Sequence, residues 1–249
     1  MKKMIKVVFC VMSAMLLCVS CNINDNDYDE PQWSSYVTVA TAGNSFYFVD
    51  DSGEKIYPGD VSRIGAYDTD GKDGKRAYIF FNYLRDNVDG FSSNIALYKV
   101  IDVLSKDVEV AKTGEDIKEA GDDPLTIDQM KIRGEWLDIN FSLFTERYAR
   151  HKMTLMDNSM AEPPANMPSG YQYLELRQNA GDANKYYMGS GNVSYKLNGY
   201  HPSVTGKKGL YIRVNTISSG IGYYIIDYVT PAPLSKQKNN LYKQNVAIE

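Results

Sequence analysis

Cysteine and histidine are scarce in this chain. Its 249 residues include three cysteines and two histidines. Cys10 and Cys18 lie in an apolar N-terminal run, so only Cys21 is left for the remainder of the chain. A single cysteine cannot form a disulfide within the chain, and it offers no free thiol if it is acylated. The folded part must therefore rely on hydrophobic cores, for which it is long enough.

Sequence motifs of common enzyme classes are also missing. The chain has no Gly-x-Ser-x-Gly motif, no Walker A motif and no Gly-x-Gly-x-x-Gly motif. Its two histidines, His151 and His201, are interpreted as surface or packing residues. A glycosidase needs paired carboxylates, and Asp138 and Glu175 are carboxylates on predicted strands, but strand alternation predicts that Asp138 faces water. We therefore expect no enzymatic activity and no cofactor.

Positive charge is not in excess. The chain has 27 Lys and Arg residues against 31 Asp and Glu residues, a net charge of −4. Residues 22–54 contain seven acidic residues and no Lys or Arg. This balance argues against a nucleic-acid partner, because such proteins present a basic surface to the phosphates. Residues 21–33 are interpreted as an acidic tether.

No apolar run is long enough to span a membrane. Three lysines, Lys2, Lys3 and Lys6, precede the uncharged segment Val7 to Val19, which is shorter than the ~20 residues a spanning helix needs. This pattern is typical of a secretory signal peptide. The run ends in Cys18-Val19-Ser20-Cys21, which resembles a bacterial lipobox. We therefore predict a signal peptide over residues 1–20 and lipidation at Cys21. The lipid would attach the protein to a membrane of the cell envelope, most simply the outer membrane, on its periplasmic face or at the cell surface.

Short strands separated by turns dominate the rest of the chain. Strands are predicted around Ser45–Val49, Glu54–Tyr57, Arg76–Leu84, Ile95–Val103, Trp136–Leu143, His151–Met156, Tyr171–Leu176, Val193–Leu197, Leu210–Val214 and Tyr223–Tyr228. No long stretch has the 3.6-residue period of a helix. The polar run 116–123 is predicted to be a linker between a domain at 34–115 and a second at 124–249, which ends in a polar tail. The class is therefore all-β.

Strict alternation marks the strand from Trp136 to Leu143. Apolar residues at every second position, such as Leu137 and Ile139, predict one face that is buried in the core. The other face carries Trp136, Asp138 and Asn140, and we expect it to face water.

The order of motifs resembles the NigD-like lipoprotein family of Bacteroides-like bacteria. The resemblance is carried by the signal peptide with Cys21 and by the segments 50–58, 74–84, 95–108, 121–124, 136–139, 174–180 and 209–213. It implies an N-terminal OB-like barrel followed by a C-terminal antiparallel β-sandwich. It also implies a cell-envelope location and, through the family name, a link to bacteriocin operons. It transfers no catalytic residues.

Two groups of residues are candidate metal sites. Asp68 and Asp70 alternate like the start of a calcium loop and Asp73 follows them, but Lys72 and Ile79 stand where the full motif needs acids. Soft ligands for copper occur at His151, Met153, Met156, Met160 and Met167. Methionine is also a common core residue, and Met153 lies on a predicted strand. We expect no metal at either place.

Aromatic residues are concentrated in the segment 76–84. One face of this predicted strand carries Tyr78 and Phe80, and the other carries Tyr83. OB-like barrels bind ligands on a strand face, so Tyr78, Phe80 and Tyr83 are candidate ligand-facing residues. Packing against the barrel core or the second domain is the alternative. The expected function is non-catalytic binding or presentation of a protein or glycan partner. The alternatives are an accessory protein of a bacteriocin operon, for immunity or secretion, and an unrecognised envelope hydrolase.

Overall fold

The computed structural model describes residues 30–147, 149–181 and 186–236. The predicted signal peptide, Cys21, most of the tether and the end of the polar tail lie outside the described residues. Within the described part, no helix is long and apolar enough to cross a membrane.

Five strands close an N-terminal barrel. They are β1 (Trp33–Ala42), β2 (Ser45–Val49), β3 (Lys55–Asp60), β4 (Arg76–Tyr83) and β5 (Ser93–Asp102). The order around the barrel is β1-β2-β3-β5-β4, and β4 pairs again with β1. β3 and β5 form its parallel pair. A closed five-stranded barrel of this kind is OB-like, so the predicted fold of this half is confirmed.

Alternate residues of the strands fill the barrel. Ile79 and Phe81 of β4 point inward and are no more than 1% exposed, and Val37, Phe48 and Ile95 join them from other strands. Side chains of a strand alternate between its two faces. Apolar residues at every second position therefore share the inward face and form the core. The outer face of β4 therefore carries Tyr78 and Phe80, as the aromatic pattern predicts.

Two sheets form the C-terminal sandwich. One has the order β14-β13-β11-β10-β7 and the other has the order β6-β12-β9-β8. Their strands are β6 (Leu104–Asp107), β7 (Glu109–Val110), β8 (Thr126–Arg133), β9 (Trp136–Thr145), β10 (Lys152–Asp157), β11 (Tyr171–Asn179), β12 (Tyr187–Lys196), β13 (Gly209–Thr216) and β14 (Gly220–Asp227). The predicted β-sandwich is confirmed. Its sheets are mixed rather than wholly antiparallel, because β10 and β7, β11 and β13, and β12 and β6 pair in parallel.

The sandwich core lies between the two sheets. Leu137 and Ile139 of β9 meet Leu174 of β11 and Ile212 of β13 there, and all four are fully buried. The predicted apolar face of β9 is thus the core face.

A short helix occupies most of the predicted linker. α1 (Gly114–Ala120) is capped at its N-terminus by Thr113, which forms a capping box with Asp116. It packs Ile117 and Ala120 against Met156 of β10, so these residues lie against the sandwich. The short strands β6 and β7 also pair with sandwich strands, although the sequence places them in the first domain. The barrel and the sandwich belong to one compact unit that begins at Gln32.

The part of the polar face of β9 that carries Trp136 and Asp138 does not face water, which corrects the expectation for these two residues. Trp136 is 4% exposed and Asp138 is 3% exposed. The reason is that the barrel packs on this face: Trp136 Nε1 donates to Thr38 Oγ1 of β1 at 3.1 Å. Alternation identifies the residues that share a face, but not what covers it.

Candidate ligand-binding cleft

A buried ion-pair cluster joins the barrel to the four-stranded sheet. Arg76 of β4 donates from Nε (3.2 Å) and Nη2 (2.8 Å) to the two carboxylate oxygens of Asp138. The same Nη2 donates to Asp51 at 2.7 Å, and Ser194 Oγ donates to Asp138 at 2.6 Å. Arg76 is 1% exposed. Bidentate arginine–carboxylate pairs are geometrically specific, so this cluster defines how the two halves meet.

Burial and the neighbouring charges shift the pKa values of this cluster in opposite directions. Burial alone would lower the pKa of Arg76, but Asp138 and Asp51 raise it above its usual value. Burial raises the pKa of the Asp51 carboxyl, and the Arg76 guanidinium opposes this only in part. Arg76 is therefore a permanent cation, whereas Asp51 resists ionisation more than an exposed aspartate does.

A cleft opens beside this joint, where the barrel does not cover the sheet. Its volume is about 760 Å³, which lies in the range of small-molecule sites. The floor is the outer face of β8, β9 and β12. Residues that pair directly across antiparallel strands share a face, and the register places Gln129, Asn140 and Asn192 in one row. Ser190 lines the next row along β12.

The wall of the cleft comes from the barrel strands β1 and β4. Ser34, Tyr36 and Tyr78 line it, and the two rings meet edge to face with their centres 4.8 Å apart. Tyr36 donates its hydroxyl to Asn140 Oδ1 at 2.8 Å, and the hydroxyls of Ser34 and Tyr78 are 2.7 Å apart. Burial and the Asp138 carboxylate raise the pKa of Tyr36, so its hydroxyl stays protonated as a donor at neutral pH.

Arg133 and Asp128 are the charged residues among the described lining of the cleft. The Arg133 guanidinium lies 5.4 Å from the centre of the Tyr36 ring, and its Nη2 donates to Gln129 Oε1 at 3.3 Å. Asp128 accepts a hydrogen bond from Ser142 Oγ at 2.7 Å. It sits at a β-bulge, where β8 has one residue more than β9 between Ile127 and Gln129. The charges of the two residues cancel.

The three predicted aromatic residues have different places. Tyr78 lines the cleft. Phe80 packs edge-on against Tyr78, with 5.3 Å between the ring centres, but does not line the cleft. Tyr83 packs against the barrel core and donates its hydroxyl to the Leu234 carbonyl at 2.9 Å. Cys21 lies outside the described residues.

A second cavity, of about 500 Å³, lies on another side of the joint near Asp51, Gly134 and His201. Gly134 has a φ of 54°, and a Cβ there would lie 2.7 Å from the Asp51 carbonyl oxygen. The backbone segments around Gly134 and Asp51 therefore lie in close contact. His201 Nε2 lies 2.8 Å from the Gly134 carbonyl, and Nδ1 lies 2.6 Å from Ser203 Oγ. With both ring nitrogens occupied, His201 packs the joint and has no nitrogen available for a ligand.

The candidate metal-binding and catalytic residues do not lie together in the fold. Among the described residues, no group of three or more His, Cys, Asp or Glu side chains could hold a metal ion. Asp73 accepts from the backbone and hydroxyl of Thr41, and Met153 and Met156 are buried in apolar clusters. Glu175 pairs with Arg177 on the other sheet from Asp138.

Sequence reasoning missed most of the cleft floor. Gln129 lies on β8, which was not predicted as a strand, and Asn192 lies just before the predicted start of β12. A signal did exist in Asn140, which the alternation of β9 places on its polar face.

The fold and the cleft define a class: a two-part all-β protein in which an OB-like barrel packs on a β-sandwich and leaves a polar cleft between them. Residues 108–228 match the family model of the NigD-like C-terminal β-sandwich domain. This match confirms the resemblance to the NigD-like family that the motif order indicates. No functionally curated protein matches the chain.

Three solved structures with a similar architecture come from Bacteroides species. A Bacteroides vulgatus protein of unknown function is 26% identical, with a TM-score of 0.68 over 79% of this chain and 90% of that chain. A NigD-like immunity protein from Bacteroides caccae is 15% identical, with a TM-score of 0.54 over 80% of this chain and 97% of that one. A candidate lipoprotein from Bacteroides fragilis is 14% identical, with a TM-score of 0.54 over 80% and 99%. The last two show a shared fold alone.

Proposed function

We propose that this protein is a non-catalytic binding protein of the cell envelope, anchored by a lipid at Cys21, and that the cleft holds its ligand. The observation that carries the proposal is the cleft itself. It has the size of a ligand site, and an ion-pair cluster beside it fixes the position of its wall relative to its floor.

A binding role without chemistry is supported by the charges around the cleft. Asp128 is the carboxylate among the described lining residues, so the cleft presents no acid–base pair there. Asp138, behind the wall, is held by Arg76, and a carboxylate in such a pair serves structure. Asp138 and Glu175, the pair that a glycosidase would need, lie in different sheets.

The anchor is tested by changing its cysteine. In cells fed a fatty-acid probe, the full chain should take up label and sediment with membranes, whereas Cys21→Ala should do neither. Two or more acyl chains give stable attachment, because each buried CH₂ contributes ~0.8 kcal/mol. Label on the Cys21→Ala variant would contradict the anchor.

The binding role is tested with the cleft. The purified full chain in detergent is incubated with separated glycan and peptide fractions of the envelope, and bound material is identified by mass spectrometry. The wild type should retain material that the double variant Tyr78→Ala/Arg133→Gln loses, with both proteins equally folded. Identical retention by the two proteins would overturn the proposal.

A second candidate function is an accessory role in a bacteriocin operon. It is favoured by the description of the Bacteroides caccae relative as an immunity protein. Expression of this chain would then protect a sensitive strain from the bacteriocin of its own gene cluster. Protection that survives in the double cleft variant would favour this candidate over ligand binding.

A further inference from the structure

We infer that the ligand of the cleft is a short neutral oligosaccharide. This inference rests on the proposed function and names the chemical class that the lining fits. It depends on three features of the lining: its hydrogen-bonding groups, its rings and its net charge.

The floor offers both donors and acceptors that the protein does not use. Within the described residues, Arg133 Nη1, the Gln129 amide nitrogen and Ser190 Oγ make no hydrogen bond, although other atoms of Arg133 and Gln129 do. Asp128 uses Oδ2 for Ser142, and its Oδ1 has no hydrogen-bond partner in the part of the chain that the structure describes. Sugar hydroxyls donate and accept at once, so they match a lining that mixes both kinds of group.

The wall offers a ring as well as polar groups. Tyr78 is partly exposed, and its ring is held from two sides by Tyr36 and Phe80. A ring held in this way presents a rigid apolar surface at low entropic cost. One apolar surface beside many polar groups suits a sugar, whose ring has C–H faces and a polar rim.

The lining argues against a peptide. Apart from the rings of Tyr36 and Tyr78, its described residues include no apolar side chain, so peptide side chains would find no apolar pocket. The barrel that forms the wall is closed, and the bulge at Asp128 interrupts the edge strand β8. An extended peptide that adds to a sheet needs an uninterrupted free edge.

The net charge of the lining argues against an acidic ligand. Arg133 is its one described cation, and Asp128 offsets it. Arg133 already lies 3.5 Å from the Asp138 carboxylate. A uronic acid or a phosphate would therefore meet no surplus of positive charge. A neutral hydroxyl can accept a hydrogen bond from Arg133 and donate one to Asp128.

The test uses a panel of defined oligosaccharides. The full chain in detergent is titrated with neutral glucose, mannose, galactose and xylose oligomers of one to six units, with uronic-acid and sulfated oligomers, and with a library of unstructured peptides. We expect a neutral oligomer to bind, and to bind more tightly than its monosaccharide because the cleft has room for more than one ring.

Variants place the binding in the cleft. Tyr78→Ala and Gln129→Ala should each weaken binding by about tenfold or more, which corresponds to about 1.4 kcal/mol. Tyr78→Phe keeps the ring and should retain most of the affinity. Tyr223→Ala is the matched control, because Tyr223 is an exposed tyrosine of the other sheet. Thermal unfolding shows that each variant is folded.

The outcomes separate this inference from the proposed function. Cleft-dependent binding of acidic oligomers or peptides alone would overturn the neutral glycan and keep the binding role. Neutral binding that is unchanged by Tyr78→Ala and Gln129→Ala would also overturn the inference, because the site would lie elsewhere. No cleft-dependent ligand from the panel or from envelope fractions would overturn both.

Discussion

The two outer faces of the sandwich are built differently. The face of the four-stranded sheet is polar, is partly covered by the barrel and forms the floor of the cleft. The face of the five-stranded sheet is partly covered by the helix α1, which packs near Met156, and its β14 edge exposes Ile221, Tyr223 and Ile225. The barrel packs on the first face, whereas the seven-residue helix α1 packs on the second.

Each face buries one carboxylate, and the partners differ in origin. Asp138 pairs with Arg76, which comes from the barrel 62 residues earlier in the chain. Glu175 pairs with Arg177, two residues later on the same strand, and also accepts from Tyr173 and Asn158. The comparison shows that the same kind of ion pair can join two folds or neutralise a buried carboxylate within a single strand. Which of these it does depends on where the arginine lies in the chain.

The largest expected effect comes from removing the arginine that joins the folds. Arg76→Met leaves Asp138 and Asp51 without their shared cation, and a buried carboxylate that loses its partner costs about 3–5 kcal/mol. Urea unfolding should therefore show a loss of this size. The double variant Arg76→Met/Asp138→Asn should recover part of it. A loss below about 1 kcal/mol for Arg76→Met would contradict the role of this pair.

The matched change on the other face should cost less. Arg177→Met leaves Glu175 with the Tyr173 hydroxyl and the Asn158 amide, so we expect a loss of about 1–3 kcal/mol in the free energy of unfolding. The two variants are compared under identical conditions. If Arg177→Met costs as much as Arg76→Met, the distinction between a joining pair and a local pair is wrong.

A smaller effect is expected at the helix that covers the five-stranded sheet. Thr113→Ala removes the side chain that caps α1 and should cost about 1 kcal/mol. Thr113→Ser keeps the hydroxyl and serves as the control. Hydrogen exchange of α1 should rise in Thr113→Ala, and equal exchange in both variants would show that packing alone holds the helix.

The smallest effect concerns pH at the joint. The pKa of Asp51 is raised in the folded protein, mainly by burial and with Arg76, Arg133 and Asp138 nearby. Between its usual pKa and this higher value, the folded state binds more protons than the unfolded state. The contribution of Asp51 to stability therefore falls as the pH rises through this window.

Asp51→Asn removes this titration. The stability of the wild type relative to Asp51→Asn should be greatest near pH 4 and should decrease as the pH rises toward neutrality. The check is a series of urea unfolding curves for both proteins at matched pH values. A constant difference, or one that grows with pH, would show that Arg76 outweighs burial at this carboxyl.

Much of the strand pattern was predictable because alternation is a local property. β9 begins at Trp136 as predicted, and its apolar residues form the core. β8 was missed for an identifiable reason: the bulge at Asp128 breaks the two-residue period between Ile127 and Met130. α1 was missed because seven residues are too few to show a helical period.

The cleft could be predicted only in part. Tyr78 was found because it lies in a run of aromatic residues. Gln129 and Asn192 carry no local signal of a site, and they meet Tyr78 only because β8, β12 and β4 come together in the fold. The second cavity likewise depends on residues that are far apart in the chain, such as Asp51, Gly134 and His201.

The sequence by itself determined the all-β class, since alternation and turn residues act within each strand and its neighbours. The OB-like barrel was an expectation from the resemblance to the NigD-like family. Only the tertiary structure decided that part of the polar face of β9 lies against the barrel and that part forms the floor of the cleft. A row of polar residues meets its hydrogen-bonding needs equally well with water or with another protein surface, so its composition does not say which it faces. In the folded protein, the barrel meets this face through the Arg76 guanidinium, which pairs with Asp138, and through the Trp136–Thr38 hydrogen bond.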